Sequence, residues 1–110
     1  MIKTGIVINL QIEGIHRWSE CNISEVRYLA SDHRHIFHIL AKKKVTDNDR
    51  QIEIICLKHQ IYSYLQTKYG SVCNFGGMSC EMIAQEIFKK FGLYYCQVLE
   101  DNENGAEVWE

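Results

Sequence analysis

A chain of 110 residues, 46% of them apolar, has the length for one small domain, residues 1–110, and the means to build a core. A formal charge of −2 gives no electrostatic pull toward nucleic acid or a membrane surface, so neither is expected as a partner. No apolar run approaches the roughly 18 residues of a membrane span, and no charged leader with a small-residue cleavage site is present, so a soluble, cytoplasmic protein is expected.

Residues 5–16, GIVINLQIEGIH, alternate: Ile6, Ile8, Leu10 and Ile12 point one way, Asn9, Gln11 and Glu13 the other. That is the pattern of a half-buried strand. His16 continues the apolar parity, so it falls at the strand's end on its core side. Residues 24–30, SEVRYLA, predict one or two helical turns with Ser24 as N-cap. Residues 34–45 read as a second strand. TDNDR supplies turn chemistry, and QIEIIC reads as a third strand that closes a hairpin with the second.

From Leu57 the period changes. Leu57, Ile61, Tyr64, Leu65 and Lys68 follow helical spacing, with Gly70 as the stop. SVCNFGG reads as a flexible connector. Ser79 caps a second helix with Glu81 in its first turn and Lys89 and Lys90 in its last, which suits the helix dipole at both ends. Ile83, Ile87 and Phe91 form its apolar stripe, and Gly92 ends it. LYYCQVLE is a fourth strand, DNENG a turn, and AEVW an extension of the sheet. The order β-β-β-α-α-β predicts an α+β domain: an antiparallel four-stranded sheet with two helices on one face.

Five cysteines, Cys21, Cys56, Cys73, Cys80 and Cys96, form no C-x-x-C pair, and their number is odd. Reduced thiols in or near the core are expected. The histidines are more informative. His33 and His35 alternate, so on a strand they share a face. Holding a metal is one use for two imidazoles on one face. The alternative is that they are ordinary polar residues at a strand's start. His38 has the opposite parity, and His59 falls on the first helix.

Three segments together resemble the 6-pyruvoyltetrahydropterin synthase and 6-carboxytetrahydropterin synthase group, whose fold is the tunnelling fold (T-fold). The first is His16 followed by the H-R-H of residues 33–35, where the family reads H-G-H. The second is IEIICLKHQIYSYL, similar to the family's strand and helix through D-F-x-x-L-K. The third is SCEMIAQEIFKKFGLYYCQVLEDNENGAEV, similar to P-T-x-E-N-x-A-x-x-I followed by V-x-V-x-E-T-x-x-x-x-A-x-Y, with Glu100 and Ala106 at matching positions. The resemblance implies zinc held by His16, His33 and His35. It also implies that Glu100 anchors the N–C–N edge of a pterin or purine through a charge-assisted, bidentate contact. Ring-like homo-oligomers, from dimer to hexamer, are implied as well.

The departures bear on activity. The family's catalytic cysteine lies four residues before H-x-H, a position held here by Leu29, while Cys21 lies twelve residues before His33. The family's D-H-x-x-L-N has no match in LQTKYGSVCNFGG. Losing a positioned acid–base pair costs on the order of 10²-fold or more in rate. The expected function is therefore non-catalytic binding of a purine-, pterin- or nucleotide-like small molecule. Arg17, Arg27 and Arg34 are available for a phosphate, and Trp18 for stacking on the heterocycle. A phage protein of this kind would sequester a nucleotide signal made by host immunity. The alternative is a zinc-dependent pterin synthase or lyase acting on a dihydroneopterin-type substrate.

Overall fold

The computed structural model describes residues 1–110. Two long strands, β1 (Thr4–His16) and β2 (His33–Val45), pair antiparallel over their whole length, from Thr4 opposite Val45 to His16 opposite His33. The segment between them carries a short 3-10 helix, Ser24–Ala30. Helix α1 (Ile54–Tyr69), strand β3 (Cys73–Gly76), helix α2 (Cys80–Phe91), and strands β4 (Tyr95–Glu100) and β5 (Asn104–Trp109) follow. The sheet has five strands in the order β3-β1-β2-β4-β5.

The α+β class holds, but the sheet differs from the four-stranded antiparallel expectation. β3 pairs with β1 in parallel, placing Cys73 beside Gly14 and Asn74 beside Ile15. Its four residues, lying between Gly70 and Gly77 in what reads as a flexible connector, are too few to declare an alternation. QIEIIC is not a strand. β2 already has β1 on one edge and β4 on the other, so no free edge remains for a hairpin partner. The Glu53 carboxylate instead accepts from the Cys56 N–H at 3.0 Å and starts α1 at Ile54. Ile54 and Ile55 are exposed, and only Ile52 packs on the core. Ser24 is the first residue of its 3-10 helix and not the cap, a place taken by Ile23 without a side-chain bond.

Both helices lie on one face. Ile8, Leu10 and Ile12 of β1, Phe37, Ile39 and Ala41 of β2, and Cys96 and Val98 of β4 pack with Leu57, Ile61 and Leu65 of α1 and Ile83, Ala84 and Ile87 of α2 in a single cluster. Ser79 caps α2 by accepting from the Met82 N–H, and Gly92 closes it with a left-handed φ of 62°. These match the expected start and stop. At the far end of β4, Asp101 and Asn102 take positive φ of 54° and 59°. They form a mirror-image turn whose twist suits a hairpin, and β5 begins at Asn104, inside the expected turn.

Candidate metal centre and its cleft

The strand parity that builds the core does not stop where the apolar residues stop. On the core face, β1 runs Ile8, Leu10, Ile12, Gly14, His16, and β2 runs His33, His35, Phe37, Ile39, Ala41 in the opposite direction. Glu100 is the residue of β4 opposite Phe37. So His16, His33, His35 and Glu100 occupy the polar end of the same face. Phe37, fully buried, separates them from the apolar core, with its ring edge-on to His16 at 5.2 Å and to His35 at 5.7 Å. Gly14 makes room for this floor: a Cβ there would lie 2.8 Å from the Phe75 ring and 2.9 Å from Phe37.

The imidazoles meet in T-shaped pairs, with planes inclined by 63° to 82° and centroids 4.6 to 5.4 Å apart. Each has its Nδ1 against an oxygen: Met78 O for His16 at 2.9 Å, Ser31 O for His33 at 2.8 Å, and the Asp101 carboxylate for His35 at 2.7 Å. Carbonyl and carboxylate oxygens only accept, so each Nδ1 carries the proton and donates. In the neutral ring this leaves an Nε2 lone pair. One ligand atom from each histidine and one from Glu100 lie within 4.8 Å of one another. Glu100 Oε2 is 2.8 Å from His16 Nε2, and Oε1 is 3.5 Å from His35 Nε2. Neither contact has the direction of a hydrogen bond, and both Nε2 atoms are buried and unpaired.

A buried polar atom without a partner costs about 1–3 kcal/mol. Three imidazoles committed through Nδ1, with Nε2 converging, are what a metal-binding histidine set with its outer-shell partners looks like. The donors fit a divalent ion such as zinc. Asp101 is itself fixed: its other oxygen accepts from the Ile36 N–H at 3.0 Å. That bond, and then the one from His35, hold its carboxyl below the usual range.

A cleft of about 520 Å³ opens beside the cluster, with His16, His33 and Glu100 in its lining. Leu29, Trp18 and Met78 give it apolar walls, and Arg17 and Asn104 give it polar ones. Arg17 is ion-paired with Asp32, and Trp18 is half exposed. Arg34 is not there. Alternation along β2 turns it to the opposite face of the sheet, where it pairs with Glu13. Arg27, too, is absent from the lining. Sequence spacing placed Arg34 between two histidines, and in a strand that is the one position that must point away from them.

Two residues of the site escaped the sequence reading. Asp101 follows the strand-end Glu100, and its side chain reaches back to His35 only because its backbone turns left-handed. A carboxylate directly after a strand, inside a turn sequence, was the available signal. Cys80 lines the cleft with its Sγ 3.6 Å from Glu100 Oε2. Burial, with the Glu100 charge beside it, pushes this thiol up to about 12, so it stays protonated at neutral pH. Cys21 lies outside the cleft lining, is buried, and donates to Val26 O.

No family model matches the chain, and no curated protein matches it. No helix is long and apolar enough to cross a membrane.

Proposed function

We propose that this chain is a T-fold protein that binds a flat nitrogen heterocycle of the purine, pterin or nucleotide class beside a zinc ion, without turning it over. The observation that carries this reading is the convergence of three Nε2 lone pairs at the base of an open cleft. His16, His33 and His35 would hold the ion, which when bound offers a Lewis-acid contact to a ligand oxygen or nitrogen. The chain's own residues would do the rest. The exposed face of Trp18 suits stacking, Leu29 and Met78 exclude water from a flat ring, and Arg17 offers planar donors to a carboxylate or phosphate.

The absence of turnover rests on what the walls carry. Leu29, in the position where the resemblance sets a catalytic thiol, faces the cleft as a hydrocarbon. The thiol that does face it, Cys80, begins α2 and is hydrogen-bonded to Glu100, and it does not stand in the place before the histidine pair. A homo-oligomer, dimer to hexamer, belongs to the proposal. It is supported by the outer edges of β3 and β5, which pair with nothing within the chain.

The test is thermal unfolding of zinc-loaded protein with a panel of purines, pterins and cyclic nucleotides. Tight binding raises the apparent stability by about 2.7 kcal/mol at a hundredfold excess over Kd. Protection by at least one of these, lost in His33→Ala, is expected. No shift with any of them at millimolar concentration would end the reading. The enzymatic alternative needs a position on the ion for substrate, as in catalytic zinc sites, which the three histidines leave open when Glu100 is displaced. Turnover of a dihydroneopterin substrate, abolished by His33→Ala, would establish it in place of the binding role.

A further inference from the structure

We infer that Glu100 is a fourth protein ligand to the metal, so that the chain alone completes the coordination shell and an outside ligand reaches the ion only by displacing this carboxylate. The inference rests on the metal-binding reading above and specifies its geometry. Tetrahedral ligands about 2.1 Å from zinc stand about 3.4 Å from one another. Glu100 Oε1 stands 3.5 Å from His35 Nε2, at that spacing, and Glu100 Oε2 stands 2.8 Å from His16 Nε2, closer than that spacing, so the two would move apart slightly around an ion.

Charge leads to the same assignment. Glu100 pairs with no lysine or arginine; its ion-pair contacts are the two histidines alone. Arg17, the arginine of the cleft lining, makes its ion pair with Asp32 and not with Glu100. The histidines offer Glu100 no directed N–H, because their protons sit on Nδ1, facing Met78, Ser31 and Asp101. A carboxylate with one-quarter of its side-chain surface exposed (24%), three lone pairs around it and only the weak Cys80 S–H donating to it is placed to take a cation. A divalent ion supplies that charge and pairs every orphaned atom at once.

Backbone geometry divides the work between consecutive acids. Glu100, the last residue of β4, stays on the core face opposite Phe37 and points into the cluster. Asp101 turns left-handed and grips His35 Nδ1 from behind. Glu100 would be a ligand and Asp101 a positioning residue for His35.

The experiment uses the whole 110-residue chain loaded with cobalt(II), a coloured substitute for zinc, with zinc affinity measured by chelator competition. The wild type should bind one ion per chain, and millimolar azide should leave its visible spectrum unchanged, because no coordination position is open. In Glu100→Ala and Glu100→Gln azide should shift the spectrum, and zinc affinity should fall at least about 100-fold. Asp101→Asn should lose about 10- to 100-fold in affinity while remaining insensitive to azide, as expected for an outer-shell partner. A wild-type spectrum that azide shifts as readily as that of the variants would overturn the inference and leave the three-histidine site standing. A wild type that binds no ion would remove the metal reading itself. The azide response of the wild type needs no variant to fold.

Discussion

His33 and His35 would be unremarkable on a surface. They matter because each Nδ1–H is already given away, so the Nε2 atoms are left facing one another with no proton between them. The same logic of satisfied and unsatisfied groups runs through Glu86 on α2. It accepts from Tyr64, Tyr69 and Lys68, all on α1, and so ties the two helices together. Burial pushes its carboxyl up, but the hydrogen bonds from Tyr69, Lys68 and Tyr64 outweigh that and hold it below its ordinary 4.5. A carboxylate lowered on folding stabilises the protein above its unfolded pKa, and that stability is lost as pH falls through the folded value. Chemical denaturation at pH 7 and on descent below 4.5 should show Glu86→Gln about 1–2 kcal/mol less stable at pH 7. The gap between variant and wild type should close in acid. A gap that persists unchanged at low pH would mean the loss is one of shape and not of charge.

At the scale of elements, the caps and turns decide where the site's parts fall. Ser79 caps α2 directly after Met78, whose carbonyl receives the His16 Nδ1–H. Ser79→Ala should cost about 1 kcal/mol of stability by denaturant titration. It should also weaken zinc binding by loosening His16, whereas an equally destabilising change at the Glu53 cap of α1 should leave zinc affinity alone. The β4–β5 hairpin depends on Gly105, where a Cβ would lie 1.9 Å from the Val98 carbonyl oxygen. Gly105→Ala must push β5 off β4, at a cost of about 1–3 kcal/mol. Hydrogen exchange should show the loss of protection concentrated in residues 104–109.

For the whole molecule, the cluster joins pieces far apart in sequence. His16 ends β1, His33 and His35 begin β2, and Glu100 ends β4. An ion held among them cross-links three strands of the sheet, so folding and metal binding should be linked. Zinc at a hundredfold excess over its Kd should raise the apparent stability by about 2.7 kcal/mol, a chelator should reverse the rise, and His33→Ala should show neither effect. Native mass spectrometry of the same samples reads the metal count and the subunit count together. A monomer carrying one zinc would retain the site and dismiss the oligomer.

Much of this was readable in the residues themselves. The alternation of β1 and β2, the helical spacing from Leu57, the Ser79 cap and the Gly92 stop are local patterns with local causes, and they stand where the spacing set them, except that α1 begins earlier, at Ile54. The parity of His16, His33 and His35 is likewise a property of the strands that carry them, so their common face followed from position alone. The failures were of another kind. Ile52–Glu53–Ile54 alternates like a strand, but an edge to pair with is supplied or denied by the rest of the sheet, and β4 had taken it. β3 exists because β1 has an open edge, not because CNFG declares itself. Which way each Nδ1 donates, that Asp101 reaches behind His35, and that Glu100 faces three nitrogens all depend on atoms from distant segments meeting. Periodicity determines which face a side chain takes, because that is fixed by the residue's own backbone. Pairing partners, orphaned lone pairs and the charge they call for arise only when the chain has folded them together.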